Sequence, residues 1–161
     1  MSDKSIDELH WMMGMLHTIN VGLVVVDLEY RIKIWNEFME NRSGMKAFHV
    51  RDHLLFELCR EVPERWFKNK VTSVSKIGNQ SFTIWEQNPY LFKFKNYRPI
   101  TGAVEYMYQN TTFIPLSSPN GEIQHVGIIV YDVTDMAVTK LELETSNRSL
   151  ELLSRTDRLR V

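Results

Sequence analysis

A chain of 161 residues is long enough for one domain with a real core, burying about 70% of the surface its unfolded form would expose. Its net charge of −1 excludes a nucleic-acid binder that works by neutralising phosphates, so the scattered Lys and Arg side chains read as a solvated face. With a single cysteine, Cys59, it has neither an intrachain disulfide nor a four-thiolate metal site.

No apolar run of about 18 residues occurs, and the start, Ser2-Asp3-Lys4-Ser5, is polar. Neither a signal peptide nor a membrane span is therefore expected within the chain, and a cytoplasmic setting without membrane contact is the natural expectation. From Ile6 to Ile19 the residues Ile6, Leu9, Met13 and Leu16 are spaced three and four apart, one face of an amphipathic helix. Trp11, Met12 and Met15 widen that face, which suits a lead-in helix packing on its own domain and on a second copy.

Val21-Gly22-Leu23-Val24-Val25-Val26-Asp27 is a continuous β-branched run, suited to a central strand. Asp27 stands at a turn, and Tyr30-Arg31-Ile32-Lys33-Ile34-Trp35-Asn36 alternates as a strand with one wet face. Asn36 then suits the N-cap of a helix reaching about Ser43, broken by Gly44. His49 to Val62 holds a short apolar helical segment, Leu54 to Cys59. Pro63 opens a longer helix with Trp66, Phe67, Val71, Val74 and Ile77 on one stripe, closed by Gly78. Further extended segments are expected at Gln80–Glu86 and Tyr90–Phe94, interrupted at Pro89, then at Glu105–Leu116 and Glu122–Val133, the last two joined by the hairpin signal Pro119-Asn120-Gly121. A polar helical tail follows.

This order, with Val21–Asp27, Ile34-Trp35-Asn36 and the closing Asp132-Val133-Thr134, resembles a PAS domain over about Leu16 to Thr134. The resemblance implies an α+β fold: a five-stranded antiparallel sheet with helices on one side, curved around a cavity that often takes a small ligand. It implies three parts: an N-terminal helix over 1–19, the PAS domain over 20–134, and a linker helix over 135–161. The tail Ser154-Arg155-Thr156-Asp157-Arg158-Leu159 is similar to the start of a bacterial GGDEF diguanylate cyclase domain, with Arg160 departing from the pattern. The cyclase signature and its metal-binding acids are absent. The resemblance therefore implies a bacterial sensor segment that regulates a cyclase it does not contain, with the GGDEF domain following it and a parallel homodimer as the working form.

Candidate ligand residues lie in Trp85-Glu86-Gln87-Asn88-Pro89-Tyr90 and beyond. Trp85 and Glu86 together suit an amine, and Arg98 suits a carboxylate. Trp85 and Tyr90 read equally as core and edge aromatics. Tyr106, Tyr108 and Asn110 share one side of a strand while Met107, Gln109 and Thr111 share the other, and one set must meet the cavity. The candidate set is thus Trp85, Glu86, Tyr90, Arg98, Tyr108 and Asn110. Asp132 and Thr134 are expected to relay the signal, with Thr134 capping the exit helix and Asp135 at its positive end.

His49 and His53, four apart, would share one face of a helix, but no further ligand stands nearby and the longer helix, from which haem-binding relatives commonly take their histidine, has none. His10 and His17 read as surface residues. Cys59 shares only Cys-Arg with the "NCRFLQ" motif of flavin-binding photosensors and reads as a buried structural thiol. No metal and no certain cofactor is assigned. In the exit helix Met136, Leu143 and Leu150 recur at seven until Asp157 breaks the row, and Val138, Leu152 and Leu159 form a second row interrupted by Thr145. The sequence reads as a sensory input domain that binds a small polar metabolite and signals through a dimeric linker helix to a diguanylate cyclase. The alternatives are a ligand-free dimerisation module and a haem or redox sensor.

Overall fold

The computed structural model of the chain describes residues 3–97 and 104–159. In order the elements are α1 (Asp3–Thr18), β1 (Gly22–Asp27), β2 (Ile32–Trp35), α2 (Glu37–Ser43), α3 (Ala47–Val50), α4 (Leu55–Leu58), α5 (Glu64–Ile77), β3 (Ser81–Thr83), β4 (Gln109–Ser117), β5 (Ile123–Asp132) and α6 (Thr134–Leu159). The strands form one antiparallel sheet in the order β2-β1-β5-β4-β3. This is the expected α+β architecture.

Alternation sets which face of the sheet is covered. Val24 and Val26 of β1, Phe113 of β4 and Ile128 and Val130 of β5 all point to the same side, where α5 packs on β4 and β5 and α2 packs on β1. Gly22 permits that last approach, because a Cβ there would stand 2.6 Å from Met39 Sδ and 3.0 Å from Val130 Cβ. The opposite face keeps Ile34, Phe82 and Tyr131 exposed.

Local chemistry ends the elements where the sequence suggests. Asp27 Oδ1 accepts the N–H of Glu29 and of Arg31, each at 2.9 Å, and so closes the β1–β2 turn. Gly44 and Gly78, at φ 75° and 79°, terminate α2 and α5. Asn36 caps α2 through Met39 N–H, but it also accepts from Leu23 N–H and donates to the carbonyls of Leu16 and Val21. Pro63 is the N-cap of α5 rather than its first residue, and Ile77 leaves the packed stripe at 68% exposure.

Two expectations need larger correction. Gln80–Glu86 pairs only over Ser81–Thr83, and Tyr90–Phe94 is not a strand at all: it folds inward, burying Leu91, Phe92 and Phe94. None of the 16 residues of α1 is buried, so its apolar face stays largely uncovered although the helix meets α2. Its anchor is the Leu16 carbonyl bonded to Asn36.

Candidate functional site

The junction between sheet and exit helix is held by a set of hydrogen bonds centred on Thr134. Asp132 Oδ1 accepts the backbone N–H of Thr134 at 3.1 Å and its hydroxyl at 2.6 Å. The same hydroxyl accepts the N–H of Tyr108 at 3.1 Å, and Val133 N–H donates to the Tyr108 carbonyl at 3.0 Å. Thr134, 2% exposed, therefore does not cap its own helix as expected; Asp132 binds the first helical N–H, and Thr134 fastens the helix to the entry of β4.

Four of the candidate ligand residues meet on the outer side of the sheet, beside this joint. Trp85 lies edge-on to Tyr108, with ring centroids 5.3 Å apart, and Asn110 Oδ1 accepts the Trp85 N–H at 2.9 Å. Glu86 is 2.7 Å from Lys140 Nζ of α6, and that ammonium lies 6.0 Å from the Trp85 ring centre. The ring face and carboxylate expected to hold an amine thus hold one supplied by the chain. The Glu86 hydrogen bond is the main cause holding the Lys140 pKa above its ordinary value. Lys140 carried no sequence signal, standing 54 residues from Glu86.

The inward-facing set is Met107, Gln109 and Thr111. Gln109, 1% exposed, accepts the N–H groups of Leu91 and Phe92 at 3.0 and 3.1 Å and donates to the Phe92 carbonyl at 2.7 Å. It grips the backbone of the inward-folded segment, whose Phe92 ring meets Trp35 edge-on at 6.0 Å. Beside this grip remains a cavity of about 20 Å³, bordered by Pro63, Trp66, Thr83, Asn88, Tyr90 and Thr111 among others. The Thr83 hydroxyl at its wall is buried and has no hydrogen-bond partner, alone in this among the described residues. Tyr90 also borders a second hollow of about 210 Å³ with Pro89, Glu105, Tyr106 and Tyr108. Arg98 lies outside the described residues.

The residues weighed for cofactors fall apart in space. His49 belongs to α3 and His53 follows it, so they do not share a helix; His53 Nδ1 lies 3.0 Å from the Arg51 carbonyl. Among the described residues no three or more His, Cys, Asp or Glu side chains gather as a metal site. Cys59 is 2% exposed, and burial, then Glu61, pushes its thiol up to about 12, so it is not a thiolate at neutral pH.

No protein-family model and no curated protein matches the chain. Among solved structures it is similar to the sensory box sensor histidine kinase of Vibrio cholerae, with 30% identity, a TM-score of 0.57, and coverage of 81% of this chain and 94% of that one. The chain belongs to the sensory box, or PAS, family. The PAS domain of Bordetella pertussis BvgS is similar at 19% identity and a TM-score of 0.58, covering 89% of this chain and 98% of that one. VqmA of Vibrio cholerae, solved bound to DPO, is similar at 13% identity and a TM-score of 0.59, covering 76% of this chain and 57% of that one. These two likenesses concern the PAS fold alone. Among the described residues of this PAS domain, no helix is long and apolar enough to cross a membrane.

Proposed function

We propose that this PAS domain is the sensory input of a signalling protein: it binds a small polar metabolite and passes its state through a paired exit helix to a diguanylate cyclase. The observation that carries the reading is the joint at Thr134, where one hydroxyl connects Asp132 at the end of β5, Tyr108 at the entry of β4 and the start of α6. A shift of either strand changes that hydroxyl's partners, and a buried hydrogen bond is worth about 1 kcal/mol. Allosteric couplings are of that size, about 1–3 kcal/mol. The cyclase as output rests on the likeness of Ser154–Leu159 to the start of that domain.

The test joins the chain at Leu159 to a diguanylate cyclase domain and compares it with Thr134→Val. The expected result is a change of about fivefold or more in cyclic di-GMP synthesis with the fold retained. Unchanged synthesis overturns the joint as relay. A haem or flavin absorption band in the purified protein overturns the metabolite. A second reading, a ligand-free pairing module, is favoured by the interior that Leu91, Phe92 and Phe94 fill. Thermal-shift screening of metabolites separates the two, because only a sensor gains stability from a ligand that binds its folded state.

A further inference from the structure

The segment Ile84–Phe94 between β3 and β4 has two differently occupied sides. Its outer side carries Trp85 and Glu86, which hold Lys140 of the exit helix. Its inner side carries Leu91, Phe92 and Phe94 into the core, with the backbone at Leu91 and Phe92 gripped by Gln109. A turn links the two sides, with the N–H groups of Gln87 and Asn88 both donating to the Ile84 carbonyl. Asn88 and Tyr90, between them, border the cavity that contains the unpartnered Thr83 hydroxyl.

That cavity has a definite chemistry. None of the residues around it is charged, so a formal charge entering it would lose its hydration without a counter-ion. The buried Thr83 hydroxyl calls for a hydrogen-bonding partner. At about 20 Å³ the space holds roughly one water molecule, so anything larger must displace the bordering segment. The helices and strands around it are fastened into the core; the irregular segment is held by the three side-chain bonds of Gln109, by the Pro89 and Phe94 carbonyls accepting the N–H groups of Gln109 and Met107, by Trp85 N–H on Asn110, and by apolar burial.

We propose that Ile84–Phe94 is the strap through which this PAS domain couples ligand to output: a neutral, hydrogen-bonding small molecule entering at Thr83 lifts Leu91–Phe92 off Gln109, and the same movement draws Glu86 away from Lys140 on the exit helix. This rests on the metabolite reading above, but its coupling is a property of the free protein. Coupling is reciprocal, so disturbing either side of the strap must loosen the other.

The experiment is hydrogen–deuterium exchange of the full chain, resolved by residue. Lys140→Met removes a surface ammonium outside the core. It is expected to speed exchange at the Leu91 and Phe92 amides by about fivefold or more. Gln109→Met keeps a side chain of similar length while removing both the acceptor for those two N–H groups and the donor to Phe92. It is expected to speed exchange over Ala137–Leu141. Effects confined to the side of each substitution overturn the strap, whatever the fate of the metabolite reading. Thr83→Val tests the site itself: a higher melting temperature supports an unpaired hydroxyl kept for a ligand, and a lower one assigns that hydroxyl to a structural water and overturns the ligand part. Reciprocal exchange without any thermal shift from neutral alcohols and amides leaves the coupling standing and overturns the metabolite.

Discussion

The Cys59 thiol, 2% exposed at the end of α4, resists ionisation because burial removes the water that would stabilise a thiolate, and the Glu61 charge adds to the effect. In the unfolded chain it ionises near 9.0, whereas in the folded protein its pKa is pushed up to about 12. The sign follows directly. Below pH 9 both states keep the proton and nothing is lost. Above it the unfolded chain releases a proton that the fold retains, so stability falls as pH rises toward 12. The slope is about 1.4 kcal/mol per pH unit within that window. Between pH 8 and 10.5, urea denaturation is expected to show a loss about 2 kcal/mol greater for the native chain than for Cys59→Ala. Parallel profiles would mean that the thiol is less buried than its packing indicates. The same burial predicts that thiol reagents at pH 8 react only as fast as the protein opens.

Among the elements, Asn36 does more than a cap requires. Its carbonyl oxygen serves β1 and α2, while its amide nitrogen holds the end of α1 and the entry to β1. Asn36→Asp keeps both accepted bonds and removes both donated ones. It is expected to free α1, seen as faster exchange over Leu16–Thr18, and to destabilise the domain by about 1–3 kcal/mol through the unpaired carbonyl of Val21. Asn36→Ala should cost more, because α2 then loses its cap as well. Equal stability of the two variants would refute the division of labour. The capping role was legible in sequence, as were β1, β2, β4 and β5, because each rests on residues a few positions apart. The alternation in β2 marked a strand but not its faces: a register shift at Val25/Val26 leaves Ile34 exposed and turns Trp35 inward with Ile32. The strap was not legible. Its aromatic residues resemble a strand, and what bends it inward is Gln109, 18 residues beyond Leu91. The amine that fills the Trp85–Glu86 pair lies farther still along the chain. Local periodicity carries no record of such partners.

At the scale of the molecule, the two end helices carry apolar side chains that the domain does not cover. Met12, Met15 and Leu16 of α1, with Ile19 just after it, border an apolar surface hollow of about 420 Å³, and Leu143, Leu150, Leu152 and Leu153 stand exposed on α6. The two faces differ in quality. Asp157 and Thr145 interrupt the rows of α6, whereas α1 concentrates Trp11, Met12, Met13, Met15 and Leu16 within two turns. On that pattern α1 is expected to be the seam if two copies pair, with α6 left able to be repositioned. A homodimer held by α1 and read out by α6 is the expected arrangement. Light scattering after size exclusion should give twice the chain mass at tens of micromolar. Met12→Glu with Met15→Glu, on a helix with no buried residue, should convert it to a folded monomer. Leu150→Glu should leave the dimer mass unchanged and alter only the signal carried by α6. A monomer from Leu150→Glu alone would reverse the assignment and make the exit helix the element that holds the pair together.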